Sequence, residues 1–189
     1  MKIEISPKLN QEGIEKSYYH HHFDGVCTIN EYQFIYNRME PLTKCWGFFQ
    51  HDLSKKDCLL GAITLGNEID CMQQQYQKEE EYLKAHMVDC LASDILRESY
   101  RLFGEHINII TGYYIESFIF AGDQGIELET VGDILESLNI SEIIYNQCFG
   151  MKPRNTVVFK AKLTERENDK CCNICNNCNN LKCKENHTF

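Results

Sequence analysis

The stretch from Glu68 to Phe103 contains no proline and is built largely from Gln, Glu, Lys, Leu, Met and Ala, residues that fit a helix at little cost in side-chain freedom. Within it Leu83, Met87, Leu91 and Ile95 recur at every fourth position. That spacing lines them up on one face, opposed by Glu81, Lys84 and Arg97. The pattern predicts one long amphipathic helix ending near Gly104, and such a helix needs an apolar surface to lie against. The preceding segment offers one: Cys58 to Leu65 is an apolar run of strand length, broken by Gly66 and Asn67. A buried strand feeding the helix is expected.

Downstream, "INIITGYYIESFIF" is β-branched and aromatic and reads as one or two strands around Gly112. After the interruption "AGDQGIELE", the segment "TVGDILESL" predicts a short helix, with Thr130 as its N-cap and Asp133 three residues on. "ISEIIYNQCF" and "TVVFKAKL" flank the turn-rich "GMKPRN", so an antiparallel pair is expected. These elements predict an α+β domain over residues 1–165, an antiparallel or mixed β-sheet flanked by helices, with a separate tail over 166–189. A chain of 189 residues, 43% hydrophobic, can bury one core and is too short for two large ones.

Near the start, "SYYHHHFDG" carries three consecutive histidines. Neighbouring side chains point different ways in a helix or a strand, so Tyr18 to Phe23 read as a solvated segment rather than a metal site. Trp46, Phe48 and Phe49 suggest a satellite core beneath the N-terminal segment. Asp89 and Asp94 read as solvated acids on the long helix.

A net charge of -9 argues against a polyanion partner, because affinity for phosphate backbones comes from clustered Lys and Arg; no nucleic acid is expected. The charged start "MKIEISPKLNQEG" and the lack of a long apolar run predict a cytoplasmic protein with no membrane span. In a reducing compartment its 11 cysteines are packing residues, metal ligands or redox groups rather than disulfides. Cys27, Cys45, Cys58, Cys71 and Cys90 stand singly and read as packing residues. Cys148, on an expected strand, reads as a core residue before a ligand. No nucleophile triad order, phosphate loop or zinc-protease motif is present, so no catalytic residue is assigned.

The tail differs. "CCNICNNCNNLKC" spaces Cys172, Cys175, Cys178 and Cys183 as C-x2-C-x2-C-x4-C. Two-residue spacing lets neighbouring thiolates converge on one centre, and the interleaved asparagines tolerate the tight turns a ligand loop needs. The run fits an iron–sulfur cluster or zinc.

The order of these elements, together with "GAITLGNEID", "EEYLKAHMVDCLASDILRE", "FAGDQGIELETVGDILESL" and "MKPRNTVVF", resembles the reactivation (activation) domain of vitamin B12-dependent methionine synthase in its small stand-alone form. Cys175, Cys178 and Cys183 are similar to a cysteine triplet of stand-alone members. The resemblance implies an accessory role in the reductive remethylation of a corrinoid cofactor. Cobalamin would be carried by a corrinoid-binding partner or a methionine synthase subunit. S-adenosylmethionine would lie against the loop that holds Phe120, Gly122 and Asp123, and Asp123 and Pro153 match the family's pair by separation. The family pattern is departed from in three places: Glu116 stands roughly where its members carry arginine, Phe120, Ala121 and Gly122 stand near its Gly-Tyr pair, and Gln147 stands where they carry glutamate. An acid cannot pair with the ligand's carboxylate, so the resemblance carries the fold further than it carries S-adenosylmethionine. The alternative expectation is a non-enzymatic zinc-binding module that docks onto a corrinoid protein.

Overall fold

The structure is a computed structural model that describes residues 1–52, 55, 57–122 and 126–166. Its elements are β1 (Lys2–Ile5), α1 (Gln11–His20), α2 (Ile29–Met39), β2 (Cys45–His51), β3 (Cys58–Thr64), α3 (Asn67–Lys78), α4 (Tyr82–Thr111), β4 (Tyr114–Phe120), α5 (Thr130–Ser137), β5 (Ile144–Tyr145), β6 (Met151–Lys152) and β7 (Thr156–Thr164). Five strands form one sheet in the order β1-β2-β3-β7-β4, antiparallel at every pairing. The class is α+β, as the sequence predicts.

Alternation along the strands splits the apolar residues between two faces. Phe49, Leu59, Ile63, Ile115, Phe118, Phe159, Ala161 and Leu163 join the core beneath α1 to α4. Phe48, Ala62 and Val158 turn the other way and pack against Val131, Ile134 and Leu135 of α5. The central strands come close to the aromatic rings because two positions lack a side chain. A Cβ at Gly61 would stand 2.5 Å from the Phe159 ring, and one at Gly47 would stand 2.7 Å from Phe103. Around them Phe159 meets Phe118 and Phe103 edge-on at centroid separations of 4.9 and 5.5 Å.

The first fifty residues are part of this core. Ile5, Ile14, Tyr32, Ile35 and Met39 are buried in it. The histidine segment is not simply solvated, since Tyr18 and Phe23 at its two ends are buried. The expected satellite aromatics are divided by strand alternation: Phe49 enters the main core, while Phe48 is buried in the second cluster with Trp46 against it.

Four expectations about the elements are corrected. The long helix is two helices, because the chain leaves helical geometry at Glu80, whose φ is 60°, before α4 begins. Helix α4 then passes through buried Gly104 and ends only at Gly112, which caps it in the left-handed conformation at φ 76°. The β-branched "INIIT" is therefore its last turn rather than a strand, with Ile107 buried in the core; tertiary contact overrides local preference there. The expected hairpin is also different. Ile144–Tyr145 pairs only with Met151–Lys152, and β7 instead runs between β3 and β4 in the centre of the sheet. Finally, Glu129 and not Thr130 is the N-cap of α5; the Thr130 hydroxyl donates to the Glu127 carbonyl.

Candidate functional site

Beyond the end of β4 the chain turns at Gly122, whose φ of 94° suits a residue without a side chain. Its amide donates to the Ile126 carbonyl at 2.9 Å, which closes the loop and leads it into α5. Between this loop and β7 lies an open cleft of about 600 Å³, lined by Gly122, Ile126 to Thr130 and Lys160. Lys160 is placed there by register: it pairs with Leu60 on one side and Ile119 on the other, so its side chain emerges on the face that α5 covers in part. It is the one cation among the described lining residues, and Glu127 and Glu129 are the anions.

The residues singled out in the sequence fall as follows. Gly122 lines the cleft. The Phe120 side chain packs away from it, stacked on Phe118 and set edge-on to Phe159 at 5.9 and 6.1 Å between centroids. Asp123 lies outside the described residues, as do Cys172, Cys175, Cys178 and Cys183. Glu116 lies 2.8 Å from the Lys162 ammonium, and this partner holds the lysine's pKa above its ordinary value. Pro153 is buried in the β6–β7 turn, and Gln147 is exposed. Cys148 is not on a strand: it is exposed in a turn, its amide donating to the Asn146 side chain at 2.9 Å. Cys45 and Cys90 are buried as expected of packing residues, whereas Cys71 is exposed. Lys160 was not singled out from the sequence, because only strand register brings it next to the loop.

Asp94 is the clearest departure from the solvated reading. It is 9% exposed, with His21 Nε2 at 3.1 Å and Arg97 at 3.2 Å. Burial works to raise its pKa, but hydrogen bonds from His21 and Ser17 and the charge of Arg97 outweigh burial and hold it below the ordinary value. The same hydrogen bond, with a second to Cys90, lifts His21 from 6.5 to about 9 against its partial desolvation. The stabilisation carried by His21 is therefore complete below about pH 6.5 and lost as pH rises through about 9. That carried by Asp94 is present above 3.8 and lost as pH falls through its lowered folded value. Thermal melts should show stability falling by about 1–2 kcal/mol between pH 6.5 and 9, once solvent screening of the partly exposed ring is allowed for. In His21→Gln that decline should vanish; an unchanged decline would assign it elsewhere. Asp89, the other acid read as solvated, is half-buried and accepts from Gln73 at 3.1 Å.

Among the described residues no three His, Cys, Asp or Glu side chains converge as a metal ion requires, and no helix is long and apolar enough to cross a membrane. No protein-family model matches the sequence, and no curated protein matches it. Among solved structures the chain is similar to a MetH reactivation domain bound to AdoHcy, with a TM-score of 0.59 and 11% sequence identity over 89% of this chain and 79% of that one. At this identity the likeness establishes the fold and leaves activity to be argued from the site.

Proposed function

We propose that the chain is an accessory protein of corrinoid-dependent methyl transfer, related in role to the reactivation domain whose fold it shares. It would act in the cytoplasm on a corrinoid-binding partner or a methionine synthase subunit that carries the cobalamin. The observation that carries this reading is the cleft at the exit of β4: in this fold it falls on the loop where the family resemblance puts the cofactor contacts, and Gly122 lines it.

The cleft is lined by one ammonium, Lys160, and two carboxylates, Glu127 and Glu129. That charge pattern suits a ligand with an amino-acid end, its carboxylate toward Lys160 and its ammonium toward the glutamates. Glu116, spent on Lys162, takes no part, so Lys160 supplies the cation that the family draws from arginine. S-adenosylhomocysteine is the direct probe, since the structural neighbour is bound to AdoHcy. Calorimetry should give saturable heat, and Lys160→Glu should weaken binding roughly five- to tenfold, as expected for reversing a partly exposed charge. No heat at about 1 mM ligand, a concentration that detects even weak association, would remove the small-molecule part of the proposal.

For the tail we propose a metal centre: Cys172, Cys175, Cys178 and Cys183 would hold an iron–sulfur cluster that relays an electron to cobalt, or zinc that pins the tail for docking. Their spacing in the sequence supports this. Anaerobic purification followed by iron, sulfide and zinc assay separates the two, because zinc has no redox chemistry to offer. Stoichiometric zinc in a colourless protein would leave the docking role alone.

A further inference from the structure

The C-terminal end of α5 and the chain that follows it form an apolar groove, separate from the cleft and independent of what the cleft binds. Leu135 and Ile143 are buried in the second core cluster, with Ile140 packed against it. The next two residues, Ile144 and Tyr145 of β5, stand 65% and 42% exposed. With Glu136 these side chains line about 340 Å³ of open space. Exposed apolar residues scattered singly are ordinary, but here they adjoin one another around a single groove. One wall is also held in place. The Tyr145 hydroxyl fills the space that a Cβ on Gly132 would take, so the ring lies along α5 and the groove is shaped before anything enters it.

The charge around the groove is one-sided. From Ala121 to Met151 the chain carries six acids and no Lys or Arg. Asp133 and Glu136 are exposed on α5, and the helix has no basic residue in its last turn to offset its carbonyl end. Among the described acids of this stretch only Glu142 has an ion-pair partner, Lys2 at 2.7 Å. Lys152, opposite Ile144 across the β5–β6 pair, is the cation on the far flank. A polyanion or an anionic lipid surface would be repelled from the α5 side. A second copy of the chain would bring the same acids, with Lys152 alone to meet them.

We propose that this groove docks a cationic amphipathic helix of another protein. One or more aliphatic side chains of that helix enter between Ile140, Ile144 and Tyr145, and its Lys or Arg residues lie over Asp133, Glu136 and the end of α5, away from Lys152. This is helix-in-groove recognition, with apolar anchors supplying affinity and the acids supplying orientation.

The test uses the full-length protein and, as probe, a labelled synthetic helical peptide with leucine along one face and lysine on the others, followed by fluorescence anisotropy. Binding should saturate and weaken as salt is raised; the same peptide with glutamate for lysine should not bind. Ile144→Ser should weaken binding about tenfold, the scale of one lost aliphatic anchor. Glu136→Lys should weaken it about fivefold and should admit the glutamate peptide instead. Both side chains are exposed, so neither substitution disturbs the core. Carbodiimide coupling, which needs no variant, should join peptide lysines to Asp133 and Glu136. The proposal is overturned if binding does not saturate by about 1 mM peptide, if a peptide of the same composition in shuffled order binds as well, or if neither substitution changes the affinity. It is overturned equally if carbodiimide in the protein alone joins Glu136 to Lys170, Lys182 or Lys184 of the same chain, which would make the C-terminal segment the occupant, or if the protein self-associates and Ile144→Ser abolishes that, which would make it a second copy.

Discussion

Phe159→Ala lowers the unfolding free energy by about 4 kcal/mol, the upper range for deleting a buried aromatic ring, with a fall in melting temperature of roughly 8–16 °C for a chain of this size. The ring is fully buried and lies where both sheet neighbours and α4 converge: Phe118 of β4, Phe103 of α4 and the bare backbone of Gly61 on β3. No side chain on β3 can relax into the vacated space, since the position facing it is glycine. The cavity therefore stays open, and the cost lies above simple loss of apolar area. Phe120→Ala, at a half-buried ring on the rim of the same cluster, should cost less. Urea titrations of both variants check this; a Phe159→Ala loss under about 1 kcal/mol, the size of an ordinary surface change, would mean that the ring does not hold the sheet to α4.

Asp70→Ala should cost roughly 3 kcal/mol. Asp70, on α3, is 3% exposed and accepts from the Arg154 amide at 2.7 Å and the Asn155 side chain at 3.4 Å. It ties the turn before β7 to the first turns of α3, and the Arg154 guanidinium makes a further tie to Gln73 at 2.9 Å. Alanine leaves that amide without its acceptor, whereas Asp70→Asn keeps one oxygen and should recover part of the loss. Hydrogen exchange at the Arg154 amide reads the effect directly. Unchanged protection in Asp70→Ala would show that the turn is held by the strand ladder alone.

Asp70 also shows which parts of the fold the sequence made legible. Short-range patterns were readable: the apolar run Cys58 to Leu65 forms β3 at its core, the short helix α5 appears where expected, and of the stripe Leu83, Met87, Leu91 and Ile95 the last three are buried while Leu83, in the first turn of α4, is exposed. What failed depended on partners far along the chain. β7 looked like half of a local hairpin until its pairing with β3, nearly a hundred residues earlier, took it to the centre of the sheet. "INIIT" looked extended because its β-branched residues favour strands, yet Ile107 is anchored in the core. Asp94 looked like a surface acid because its partner His21 belongs to another helix. The candidate cleft was half legible: the glycine-flanked loop stood out, but Lys160 carries no local signal and reaches the cleft only through register. The spacing of the tail cysteines is a feature of the sequence alone, because those residues lie outside the described structure.

The two borders of the sheet limit how another protein can engage this one. One border is β1, four residues long, with Lys2 and Glu4 among them; the other is β4, whose register slips between Ile115 and Ser117. A brief charged margin and a kinked one both resist the addition of a foreign strand. Recruitment by backbone zippering onto this sheet is thereby disfavoured, which leaves the described domain to engage a partner through side chains on the helical layer, on α5 or on the lysine-bearing plane beside it.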